Sequence, residues 1–149
     1  MNELAGKYLF LTNLAATLFM TGVIWFVQIV HYPLFAYAGT ERYGAYHIAH
    51  QTLTTYIVMP PMLLEMVTAW LLLFVRTSYV THWQAGFGLA LVISIWLATF
   101  FVSVPLHNAL NADFDAHLHQ QLVRTNWIRT IAWSLRGAFL LYLTVRAIR

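Results

Sequence analysis

Apolar residues fill this chain in four long blocks, at 8–30, 53–75, 83–104 and 126–148, with polar residues gathered between them. An α-helix needs about 20 apolar residues to cross the hydrocarbon core of a bilayer, and each block has about that length. The pattern predicts an all-α integral membrane protein. It would be a four-helix up-down bundle, one domain over residues 1–149, with short polar helices on its outer side. The first block is longer than the ~7–15-residue apolar core of a signal peptide, and no small-x-small cleavage site follows, so it reads as a retained span.

Local signals set the expected boundaries. His31-Tyr32-Pro33 ends the first helix, because a residue before proline avoids α geometry, and residues 32–39 form a loop closing on Gly39. Thr40 is the expected N-cap of a long second helix over 41–76, with Glu41 in its first turn. That helix is amphipathic at first and membrane-like from residue 53. Pro60 and Pro61 predict a kink, with unpaired carbonyls at Tyr56 and Ile57. Pro105 marks the exit of the third span, and the polar run 106–124 suits a short surface helix.

Polar residues inside the blocks fall at helical spacing. Thr17, Thr21, Gln28 and His31 share a face of the first span. Trp96, Thr99, Ser103 and His107 share one on the third, and Asn126, Arg129, Trp133 and Arg136 one on the fourth. Each arginine within a span costs roughly 2.5–3.5 kcal/mol on insertion scales, so such residues face a bundle interior or a wet cavity. Glu65 is expected at the depth of Arg136, as its buried ion-pair partner or as a proton-handling carboxylate at the base of a cavity. Spans one and three end, and two and four begin, on the same side. That brings His31, Tyr32, Tyr46, His47, His50, His107, Asn108, Asn126 and Arg129 to one polar mouth.

Composition sharpens the picture. The chain is 60% hydrophobic and 9% charged, which few soluble domains are. Without cysteine there is neither a disulfide framework nor thiolate metal ligation. The basic residues are dispersed, which argues against nucleic-acid binding. Lys7, Arg76, Arg146 and Arg149 lie on one side and Arg42 and Arg124 on the other. The positive-inside rule then puts both termini in the cytoplasm of a multi-pass protein of the cell (inner) membrane. Trp83 and Trp127 sit near span ends, as interfacial aromatics do.

Seven histidines in so apolar a chain are the informative excess. His31, His50 and His107 are candidate metal ligands, for iron or copper, with His47 as a fourth ligand or a base. Two of the histidines could instead ligate haem b, with the arginines on its propionates. The alternative is a set of interfacial histidines bonded to water, headgroups or one another. His47, Arg129 and Glu65 are the candidate catalytic groups. Tyr46, Asn108, Asn126, Trp133 and Arg136 are candidate substrate contacts, since a guanidinium can hold a carboxylate or phenolate and stack on a ring. Asp113 with His117 and Asp115 with His119 are expected surface pairs on a helix.

The order of QIVHYPLF, YHIAHQ, VPLHNAL and NWIRTIAWSLR along nearly the whole chain resembles the anthrone-oxygenase-like family of small four-helix membrane proteins. The resemblance implies the four-span fold. Through the fungal relatives it also implies oxidation of an anthrone to an anthraquinone by dioxygen. The leading expectation is a membrane-embedded oxidoreductase or oxygenase acting on a hydrophobic, aromatic or quinone-like small molecule that arrives from the lipid bilayer. A b-type haem protein and a non-enzymatic binding or assembly subunit remain as alternatives.

Overall fold

The computed structural model describes residues 3–39, 41–75 and 79–148. Among them every regular element is helical. Helix α1 (Glu3–Phe26) runs into a π-turn (Val27–His31), a short helix α2 (Tyr32–Leu34) and a 3-10 turn (Phe35–Tyr37). Helix α3 (Tyr43–Leu71) follows, then α4 (His82–Ala98), a second π-turn (Thr99–Ser103), α5 (Val104–Ala109) and α6 (Ala116–Ile148). Helix α1 packs against α3 and α6, and α4 packs against the same two, so the four long helices form a ring.

The expected break at Pro33 is not there: the helix continues through it to Tyr37. Proline has no N–H, and its ring crowds the carbonyl four residues back. The chain resolves both problems by widening one turn just ahead of it. The Tyr32 amide bonds to the Val27 carbonyl, five residues earlier, immediately before Pro33. The same device precedes Pro105, where the Val104 amide bonds to Thr99. It also explains the run Ile95, Thr99, Ser103, His107. Steps of four drift by roughly 40° each on a 3.6-residue helix, and a wide turn takes up that drift. His107 thereby stays on the buried face, as Ile95 and Ser103 do.

Other boundaries also differ. Helix α3 starts at Tyr43, with Arg42 at its N-cap and no side-chain cap bond. The expected cap Thr40, and with it Arg76 and Arg149, lie outside the described residues. Pro60 and Pro61 sit within the helical run of α3. The surface helix expected in 106–124 is instead divided between the end of α5, a turn, and the first part of the 33-residue α6. Asp115 starts it: its carboxylate accepts from the amides of His117 and Leu118, at 2.8 Å each. That is a helix cap in place of the expected pair with His119. At the opposite end Thr81 and Gln84 form a reciprocal capping box at the start of α4.

Gly39, at φ +71°, closes the turn before α3. Gly44 lets the loop after α5 lie directly on α3. A methyl group there would stand 2.8 Å from the Asn111 carbonyl oxygen.

Apolar residues fill much of the interior, but polar ones are buried beside them and large apolar ones cover the outside. Thr17, His47, Asn126, Thr130 and Arg136 are buried, while Ile57, Val67, Phe101, Ile128 and Leu135 face outward. Three helical stretches, Glu3–Tyr37, His82–Ala109 and Ala116–Ile148, are long and apolar enough to cross a membrane.

Candidate functional site

Two buried polar clusters lie inside the ring. The first is centred on Glu65 and Arg136. Glu65 Oε1 accepts from Thr17 Oγ1 at 2.6 Å and from Arg136 Nε at 3.3 Å, and Oε2 accepts from Trp133 Nε1 at 2.9 Å. Arg136 also donates to Asn13 Oδ1 at 2.8 Å, to Thr17, and to the carbonyl of Gly88. Asn13 in turn donates to Thr68. The expected Glu65–Arg136 ion pair is present, and both side chains are almost fully buried. Small residues make room for it: a methyl on Gly88 would meet the Arg136 guanidinium at 3.3 Å.

The second cluster gathers the histidines. His31 Nε2 and His50 Nδ1 are 2.8 Å apart, and Thr54 Oγ1 is 3.0 Å from the same His50 nitrogen. Tyr32 Oη lies 2.8 Å from His107 Nε2, and His107 Nδ1 lies 3.1 Å from His47 Nε2. His47 Nδ1 reaches Asn111 Oδ1 at 3.0 Å, and Gln51 donates to that same oxygen. Arg129 enters from α6, donating to Tyr32 Oη at 3.1 Å and to Asn126 Oδ1 through both Nε and Nη2. Asn126 donates to Gln28, which donates to the Val123 carbonyl. Phe35 is buried at the centre, edge-on to the rings of His47, His50 and His107.

Charge is unevenly shared between the clusters. Arg136 has a carboxylate, whereas Arg129 is buried with only neutral partners. Among the described residues no carboxylate lies within ion-pair distance of it. Burial holds the His47 imidazole below its usual range, with the Asn111 bond opposing that shift. Burial, and then Tyr46, push the Tyr43 phenol up to about 12. Both groups precede the apolar part of α3.

Two cavities adjoin this cluster. An apolar groove of about 690 Å³ runs along α1 and α3, lined by Leu18, Gly22, Phe26 and Ile57 among others, with His31 and Thr54 as its polar members. Behind it a small cavity of about 60 Å³ is lined by Met62, Thr99, Trp133, Tyr32 and Arg129. Val23, Val27, Thr54 and Val58 border both spaces, so they are the partition between groove and interior.

The structure brings together His31, His47, His50, His107, Asn126 and Arg129. Glu65, Trp133 and Arg136 belong to the other cluster, although Trp133 also lines the small cavity. Tyr46 stands at the edge, partly exposed, against Phe35. Asn108 is exposed, and Asn111 occupies the place beside His47 instead. Sequence reasoning placed Tyr32 at the mouth and Gln28 on the polar stripe without giving either a role, and it left Phe35, Gln51 and Asn111 out of the site. Helical spacing could have found two of them, since Gln51 and Asn111 each stand four residues beyond a site histidine. His119 bonds the Tyr32 carbonyl at 2.8 Å.

The donor set does not form a ready metal centre. The nitrogens of His31 with His50, and of His47 with His107, point at each other in pairs. Among the described residues no three His, Asp or Glu side chains converge on one point. The interior cavity beside Arg129 does not hold a haem, because it is far below the roughly 300–1,000 Å³ of a small-molecule pocket. No family model, curated protein or solved structure matches this chain.

Proposed function

We propose that the protein is a multi-pass inner-membrane oxidoreductase for a hydrophobic aromatic molecule carrying an acidic oxygen, such as an anthrone or a hydroquinone. The carrying observation is Arg129. It is buried, it borders the interior cavity, and it has no carboxylate partner among the described residues. A cation in such a place is stabilised when a ligand brings the anion. A phenolate or enolate oxygen beside Arg129 and Tyr32 does so while its rings lie in the apolar groove, once the side chains of Val23, Val27, Thr54 and Val58 part to admit it. The groove opens where α1 and α3 present Phe19, Phe26 and Ile57 outward, so a lipid-soluble molecule reaches it from the bilayer.

In this reading the four long helices run up and down through the membrane, with the histidine end outside and both termini in the cytoplasm. The resemblance to anthrone oxygenases supplies the reaction class. A stabilised carbanion takes dioxygen at the anthrone methylene, one oxygen atom stays as the new carbonyl, and the other leaves as water with the two methylene hydrogens. Arg129 stabilises the enolate form, where a fixed positive charge in a dry site is most effective.

The test is dioxygen uptake by the purified protein in nanodiscs with anthrone and with 1,4-naphthohydroquinone. Uptake should be saturable and above that of protein-free discs. Arg129→Gln should lower it by about 10²–10³-fold, as loss of one oxyanion donor does. Gly22→Trp, which fills the groove at a position with open space around it, should raise the half-saturating substrate concentration. Uptake no higher than in empty discs would overturn the enzymatic reading. Saturable binding without turnover would favour a carrier.

A further inference from the structure

The hydrogen bonds from Arg129 to Asn111 fit a single direction of donation when both imidazoles are neutral. Arg129 can only donate, so its bond to Tyr32 Oη makes that oxygen an acceptor. The Tyr32 hydroxyl hydrogen is then free to point at its other partner, His107 Nε2. A neutral His107 that accepts at Nε2 carries its proton on Nδ1, and Nδ1 faces His47 Nε2. His47, accepting at Nε2, carries its proton on Nδ1, which faces Asn111 Oδ1. Gln51 spends its two amide hydrogens on that oxygen and on the His107 carbonyl, which leaves none for His47 Nδ1, 3.3 Å from the same Gln51 nitrogen. Every proton therefore points from the buried arginine toward half-buried Asn111 and Gln51.

We propose that Tyr32, His107 and His47 form a polarised proton path that carries a hydroxyl proton from the interior cavity to the loop end at Asn111 and Gln51. This deepens the reading of the cavity as a site for an acidic hydroxyaromatic ligand and rests on it for the identity of the proton donor. Tyr32 borders the cavity and begins the path, so one group meets both. In one passage the ligand O–H bond breaks and its proton goes to Tyr32 Oη. The Tyr32 proton moves to His107 Nε2, the His107 Nδ1 proton to His47 Nε2, and the His47 Nδ1 proton to water at the loop. The ligand is left as an oxyanion facing Arg129, and no electron moves. Each passage reverses both imidazoles, so a second requires the rings to turn over or a proton to return from the loop. His31 and His50 form a separate pair at the groove and stand outside this path.

The first test needs no ligand. In the full-length protein labelled with 15N-histidine, His107 and His47 should both be neutral with the proton on Nδ1, and a nitrogen–nitrogen coupling should cross the bond between them. The opposite tautomer at either ring would overturn the path. The second test uses 2-naphthol, a lipid-soluble phenol that becomes a strong acid when excited. Bound to the wild-type protein it should emit as the naphtholate. In His107→Leu, a change outside the cavity lining, it should bind and emit as the neutral phenol. Equal naphtholate emission in both proteins would also refute the path. If the naphthol shows no saturable binding while the labelled histidines carry the expected tautomers, the path stands and the ligand reading fails.

Discussion

Replacing Glu65 or Arg136 probes the interior most directly. Both are almost completely buried and bonded to each other. Arg136→Leu leaves Glu65 with Thr17 and Trp133 as its remaining donors. It also orphans the Asn13 side-chain oxygen and removes the second bond of the Gly88 carbonyl, which stays in the ladder of α4. Removing one member of a buried pair typically costs about 3–5 kcal/mol. Glu65→Leu should cost a similar amount, because it strands the guanidinium. Glu65→Gln is milder, about 1–3 kcal/mol, since an amide oxygen can still accept from Thr17 or Trp133. The double variant Glu65→Leu/Arg136→Leu should lose no more than either single change. Its stranded partners are neutral, and apolar residues replace both charges. The expected coupling is therefore about 3 kcal/mol or more, read from reversible SDS unfolding of the purified protein followed by circular dichroism. If the two single losses add to within about 0.5 kcal/mol in the double variant, the side chains are energetically independent and the pair has no role in holding the helices together.

Two further substitutions test how the histidine end is held. Gly44→Ala would normally favour a helix by about 0.5–1 kcal/mol. Here the new methyl meets the backbone at Asn111 and Ala112, so a net loss of about 1–2 kcal/mol is expected. The 15N-histidine spectrum should show a changed His47 ring resonance as Asn111 is pushed away, and a stabilised protein would refute the close approach. Asp115→Ala removes the acceptor for two amides at the start of α6 and should cost about 0.5–2 kcal/mol. Unchanged stability together with unchanged amide exchange at His117 and Leu118 would show that the cap contributes nothing.

The helices and much of the site's membership were legible in the chain because both follow from hydropathy at helical spacing. Apolar blocks of bilayer length located the four long helices, and the polar positions within them pointed inward. The depth of Glu65 against Arg136 could be counted from span boundaries at a fixed rise per residue, and the pair is where that count put it. Helix ends were read less well. At Pro33 the rule for a residue before proline was overridden by a π-turn, a device that leaves no distinctive residue pattern. Asp115 reads equally well as a surface charge or as a cap until the backbone amides beside it are placed.

What the sequence determined by itself is therefore the solvent each helix face prefers, since that depends on residue type and on a period of 3.6. What only the tertiary structure decided is which nitrogen faces which partner. His31, His47, His50 and His107 were all drawn to one end by span topology alone. Their division into one pair at the groove and a chain running from Arg129 to Asn111 depends on ring orientations set by contacts 19 to 97 residues apart in sequence. Hydrogen bonds act over a fraction of an ångström and a narrow range of angles, whereas burial tolerates a turn of helix. The pattern along the chain can carry the second kind of information and cannot carry the first.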